Sequence, residues 1–205
     1  MSTFRSRTIC MLVLITAAVP SSSPASEQAE KHWVFTTRLF LSGSSDHSEP
    51  DGFSIYSSLG LEASAVRRMG SHWSAEACVR TESREVDEEQ PFGPANRLGS
   101  LELLPVTLTA RYAPFISGGF QPYAGAGACL TVAWEKSGVL DSLDVGAHFG
   151  PAAQLGFDLA LGSNALFNFD LRWNTLTCNI KNNGVSLAKL KVDPLSLGVG
   201  VGFRL

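Results

Sequence analysis

Eight ionisable side chains, Arg38, Glu62, Glu76, Arg80, Arg111, Asp158, Asp170 and Arg172, stand in stretches where every second residue is apolar. Each falls on the other, small-or-polar face of its stretch. Charges of both signs on such faces could conduct ions, relay protons or pair with one another. In a tightly filled interior pairing is the better reading, because a buried charge needs a partner. Two further groups invite chemistry. His72-x-Ser74 with Glu76 holds the residue types of a Ser/His hydrolase, which needs the imidazole within hydrogen-bond reach of the hydroxyl. His72 opens its stretch at the end away from the long loops, and no enzyme is expected. The acidic run Asp87-Glu88-Glu89 could hold divalent cations, but its setting, Ser83 to Ser100 with two prolines, reads as a solvated loop. Neither a cofactor nor a metal site is expected.

Strands must position these charges. In Gln121 to Glu135 (QPYAGAGACLTVAWE), Ala124, Ala126, Ala128, Leu130, Val132 and Trp134 share one face, and Tyr123, Gly125, Gly127, Thr131 and Glu135 the other. That period of two is a strand signal. The stretch exceeds the usual strand of roughly 5–6 residues and approaches the roughly 9–11 that cross a bilayer in a tilted barrel. Seven more such stretches follow the same rule: His32 to Leu41, Phe53 to Val66, His72 to Glu82, Leu101 to Tyr112, His148 to Leu161, Ala165 to about Cys178, and Asp193 to Leu205. Connections alternate between short turns (Arg67 to Ser71, Pro114 to Gly119, Gly162 to Asn164) and longer polar segments, the last a long loop to Lys191. Short turns at one end and long loops at the other are the pattern of an outer-membrane barrel. The expected fold is all-β: an eight-stranded antiparallel transmembrane β-barrel of up-and-down topology. In a soluble barrel the charged faces would meet water; in a membrane barrel they meet inside. Mixed signs and the scarcity of lysine on the strands favour the second.

Composition agrees. Charged residues make up 17% of the 205, and hydrophobic residues 44%, against roughly 25% charged in an average soluble protein. A formal charge of −3 argues against nucleic acid as a partner. Arg5 and Arg7 precede the apolar run Ile9 to Val19, and Ser23-Pro24-Ala25 offers a small-x-small cleavage site, so residues 1–25 read as a signal peptide and 26–205 as the barrel. Cys78, Cys129 and Cys178 remain after the signal, an odd number on separate strands, and are read as isolated small hydrophobes rather than a disulfide framework.

Leu104-Pro105-x-Thr107, then Tyr112, then Pro122-Tyr123-Ala124-Gly125-Ala126-Gly127 resembles the pattern of the OmpW family of outer-membrane proteins. Ala153-Gln154-x-Gly156-x-Asp158, Leu171-Arg172-Trp173, Asp193-Pro194 and Gly202-Phe203-Arg204 extend the likeness, clearest from Leu101 to Leu205. The chain ends in Leu205 where the family usually ends in Phe. The resemblance implies a bacterial outer-membrane location, lipid contact, and passage of small hydrophobic molecules through an apolar outer pocket with sideways release into the membrane. The alternatives are a structural barrel whose external loops bind partners and, last, a lipid-modifying enzyme. Pocket candidates are Phe92, Val139, Leu140, Leu143 and Leu176, near the outer strand ends and in the loops; their blander role is to cap the barrel. Pro151, which cannot donate to a ladder, could open a lateral gap or make a plain bulge.

Overall fold

The computed structural model describes residues 32–43, 47–49, 53–55, 58–88, 96–138, 144–182, 185–192 and 195–205. Its strands are β1 (Trp33–Ser42), β2 (His47–Glu49), β3 (Phe53–Ile55), β4 (Ser58–Arg68), β5 (Trp73–Glu88), β6 (Asn96–Tyr112), β7 (Phe120–Lys136), β8 (Asp144–Val145), β9 (His148–Ala160), β10 (Ala165–Asn174), β11 (Leu176–Asn182), β12 (Val185–Val192) and β13 (Leu195–Arg204). Eight of them close a ring in the order β5–β4–β1–β13–β10–β9–β7–β6, with β6 pairing back to β5 and every pairing antiparallel. This is the eight-stranded barrel expected from the alternation.

The chain ends meet at one rim, where the backbone N–H of Trp33 donates to the Leu205 carbonyl at 3.3 Å and that of Leu205 to the Trp33 carbonyl at 2.9 Å. All three short turns lie at this turn end. At the other, extended end the connections carry strands of their own. β5 and β6 pair out to Glu88↔Asn96, with β3 alongside at Phe53↔Glu88. β2, β12, β11 and β8 form a separate four-stranded sheet. Residues 83–88 and 96–100 of the charged segment, residues 176–182 and 185–192 of the last long connection, and parts of the two other long connections are therefore β-structure, not open loops. They extend the walls of the barrel instead of ending at its rim.

Alternation sorts the side chains as a membrane demands. Leu39 is 55% exposed on the outer face while its neighbour Arg38 is 1% exposed inside. Aromatics gather outside near both ends: Trp33, Trp73, Tyr112 and Phe120 at the turn end, Trp134, Phe149 and Trp173 toward the other. Such belts mark the two membrane interfaces. Glycines let large inner side chains fit. A Cβ on Gly200 would lie 2.1 Å from the Thr37 carbonyl oxygen and 2.8 Å from Arg38 Cγ, so only glycine leaves Arg38 its path across the lumen.

Pro151 makes no bulge. The β7–β9 register runs through it without a shift, from Ala128↔Pro151 to Leu130↔Phe149. Its carbonyl accepts from the Thr175 N–H at 3.2 Å. The N and C=O of one residue point to the same side of an antiparallel strand, so the missing donor faces β10 and β11, not β7. The β9–β10 ladder ends there, at Asn174↔Ala152, and Thr175 is the single irregular residue between β10 and β11.

Candidate functional site: a charged layer across the lumen

Register builds the site. Arg38 on β1 is opposite Glu62 on β4, which is opposite Arg80 on β5. On the other flank of β1 the same row continues through Gly200, Asn168 and Asp158. Strand pairing alone therefore sets cations beside carboxylates before any side chain is placed.

Side chains then cross the lumen. Arg38 donates to Glu62 and, at 2.7 Å, to Glu76. Arg80 reaches Glu62 at 2.8 Å. Arg111 joins Glu76 at 3.4 Å and Asp158 at 3.1 Å. Arg172 contacts Asp170 and Glu76, each at 3.2 Å, and Glu62 at 3.5 Å. All eight charged residues singled out in the sequence thus lie in one layer, four cations against four carboxylates, and all are buried. Neutral groups add further hydrogen bonds, and Arg111 Nε is left without one. Tyr123 donates to Asp170 at 2.8 Å and accepts from Asn168 at 3.0 Å. Gln154 donates to Glu76 at 3.0 Å and accepts from Arg172 at 2.6 Å. The Arg111 guanidinium lies 3.4 Å from the Tyr123 ring centre, and Ser196 accepts from Arg80 at 2.9 Å. Every one of the eight barrel strands contributes a group. Tyr123, Gln154, Asn168 and Ser196 were absent from the sequence-derived set; their positions on the inner faces were the available signal.

One inward position further toward the extended end, Phe40 and Leu103 are each 1% exposed, and the Phe40 ring takes the Arg80 guanidinium at 4.0 Å. Free, buried Cys78 lies on β5 between Glu76 and Arg80, in one register row with Thr107 and the free, buried Cys129, and the Cys178 side chain lies outside the described residues. On the turn-end side the layer borders a polar recess lined by Arg68, His72, Ser74, Arg111, Gln121 and Asp158. His72 Nδ1 is 2.8 Å from Ser71 Oγ rather than matched to Ser74, and its ring stacks on Tyr112. Glu76 is taken up by three arginines. Among the described residues no group of His, Cys, Asp and Glu is placed to hold a metal ion.

Of the pocket candidates, Phe92, Val139, Leu140 and Leu143 lie outside the described residues. Leu176 opens β11 with its backbone opposite Val192. The wall beside this region has two lapses in its ladders. β7 keeps β6 as far as Lys136, but its pairing with β9 stops at Thr131↔His148. The β9–β10 ladder stops at Pro151, as described above.

An eight-stranded closed barrel, apolar outside, charged inside and belted by aromatics, is an outer-membrane protein of bacterial type. The family model for the OmpW family matches residues 52–205, and the chain belongs to that family. It is 38% identical over 114 residues to the outer-membrane protein y4mB of Sinorhizobium fredii, covering 52% of this chain and 49% of that protein. The chain spans about half the length of the curated relatives it matches. Among solved structures it is similar to OprG from Pseudomonas aeruginosa (TM-score 0.68, 21% identity, 85% of this chain and 96% of that one). It is also similar to AlkL (TM-score 0.66, 20% identity, 91% and 98%) and to the Escherichia coli outer membrane protein W (TM-score 0.55, 20% identity, 86% and 100%). These likenesses carry the fold. In such barrels the short turns are periplasmic and the extensions external.

Proposed function

We propose that the protein admits small hydrophobic molecules from outside into the membrane. The supporting observation is the charged layer: groups from all eight strands meet across the lumen, and an eight-stranded barrel has interior only for its side chains. A solute entering at the external end meets Phe40 and Leu103, then a wall of paired charges that an apolar molecule has no means to cross. The low-cost path is sideways, where ladder bonds lapse around the start of β9 and beyond Thr131 on β7. There the outward Val132 and Trp134 lead to lipid. Leu140 and Leu143, with Phe92, Val139 and Leu176, supply the apolar mouth that carries the solute past the polar lipopolysaccharide surface.

The test is uptake into vesicles with a lipopolysaccharide outer leaflet, comparing a small apolar probe with a polar solute of equal size. The apolar probe alone enters faster, and Leu140→Asp with Leu143→Asp abolishes the gain. Equal gains for both solutes mean an open pore and overturn the sideways path. No gain for either, with the barrel shown to be folded, leaves a barrel that anchors surface loops.

A further inference from the structure

Three buried polar atoms on the external side of the charged layer have no hydrogen-bond partner: Nε2 of His148, Oδ1 of Asn174 and Oγ1 of Thr175. They converge from the ends of adjacent elements. His148 opens β9, Asn174 closes β10, and Thr175 is the residue freed from the ladder opposite Pro151. Asn174 is 5% exposed. Gly150, buried on the inner face, lets two of these side chains close against the backbone. A Cβ there would lie 2.2 Å from Thr175 Oγ1 and 3.0 Å from His148 Nε2. Buried polar groups in native proteins are satisfied as a rule, and each exception calls for a partner. Three exceptions at adjoining strand ends, two of them against one glycine, at the foot of the edge where β7 leaves β9, describe a place where a ligand supplies the missing bonds.

Their chemistry restricts the ligand. Asn174 Oδ1 only accepts, the Thr175 hydroxyl donates and accepts, and His148 Nε2 does one or the other by tautomer. A single hydroxyl donates to Asn174 and accepts from Thr175, with a lone pair left for the imidazole. Among the described residues a charged head finds no free counter-ion in the layer. Arg172, two residues before Asn174, is already bound to Asp170, Glu76, Glu62 and Gln154, and the layer's four arginines balance its four carboxylates. A pure hydrocarbon leaves all three atoms unpaired.

We propose that His148, Asn174 and Thr175 form a subsite for the uncharged hydroxyl head of an amphipathic solute, an aliphatic alcohol, whose apolar chain lies in the external chamber. The proposal rests on the uptake reading and names its substrate class. The head is held at the floor while the tail reaches the side opening, so the site orients the molecule tail-first toward lipid.

The probe pair is 1-octanol and octane. In lipid nanodiscs the ring-nitrogen signal of His148, assigned by its loss in His148→Phe, shifts with 1-octanol and stays still with octane. In vesicles with a lipopolysaccharide leaflet, the ratio of 1-octanol to octane uptake falls about fivefold in Thr175→Val and in Asn174→Leu, each of which removes one hydrogen bond at nearly constant shape. Gel mobility of the unheated protein confirms that each variant is folded. An unmoved His148 signal together with an unchanged ratio overturns the subsite and assigns the three atoms to water. If neither solute enters faster than into empty vesicles, the uptake reading fails. The His148 shift then decides the subsite alone.

Discussion

Between its aromatic belts the chain separates lipid from a filled lumen, and every residue of a strand answers to one side or the other. At the extended end the chain adds further β-structure in β2, β3, β8, β11 and β12. The first region is over-determined. Register sets Arg38, Glu62 and Arg80 in a row, glycine clears the path of Arg38, and Tyr123, Gln154 and Asn168 add hydrogen bonds to the charged groups and to one another. The second is held by shorter ladders, with an irregularity at Ile180/Lys181 on β11 and another at Val86/Asp87 on β5. In the middle, paired charges fill the lumen; in the extension, pairing is less complete, and the proposed entry and exit of a solute belong there. A membrane barrel can thus put its stability and its proposed transport in different parts of one sheet.

The largest effect that would break this contrast is at Glu76, whose carboxylate serves Arg38, Arg111 and Arg172. Removing one partner of a buried charge cluster leaves uncompensated charges and costs about 3–5 kcal/mol. Glu76→Ala in lipid vesicles should lower the unfolding free energy by that amount in urea titration. A loss below about 1 kcal/mol would mean that water reaches the layer and that the lumen is not sealed. Tyr123→Phe tests the neutral support of the same layer. Its hydroxyl sits between Asp170 and Asn168, and a hydrogen bond to a charged group contributes about 2 kcal/mol. The same titration should show a drop of that order, with the barrel otherwise intact.

The contrast also explains what the sequence made legible. Where the two sides of a strand differ, alternation reveals both strand and facing: the eight charges were readable because each stands between outward apolar residues. Tyr123, Gln154 and Asn168 carry no charge and so attracted no notice, though their phase placed them inward. The extension was read as loop because its charged segments, such as Ser83 to Glu88, show no apolar–polar contrast to count. Yet a signal existed in the last long connection. Leu176, Cys178 and Ile180 alternate with polar residues up to Asn183-Gly184, and Ala188, Leu190 and Val192 alternate beyond it, which is a hairpin pattern around a favoured turn. The structure pairs Leu176 with Val192, Cys178 with Leu190 and Ile180 with Ala188. The orphan atoms at His148, Asn174 and Thr175 were beyond reach of pattern, because they depend on where one proline's missing N–H points.

That hairpin offers the finest test of the contrast, where the expected change in stability is smallest. Leu176 and Val192 are direct partners, so residues 177–191 can be replaced by Asn-Gly, a two-residue turn that matches the twist of an antiparallel pair. The charged layer lies on the periplasmic side of Thr175 and loses no contact. The shorter connection has a lower closure entropy, and going from fifteen residues to two is worth about 2 kcal/mol at most. Urea unfolding of the truncated barrel should therefore match the full chain within that margin, while uptake of the apolar probe falls because one wall of the external chamber is gone. A truncated chain as destabilised as Glu76→Ala would show that the extension and the barrel fold as one unit. One that keeps full uptake would move the solute's path to the opposite wall, built from β3, β5 and β6.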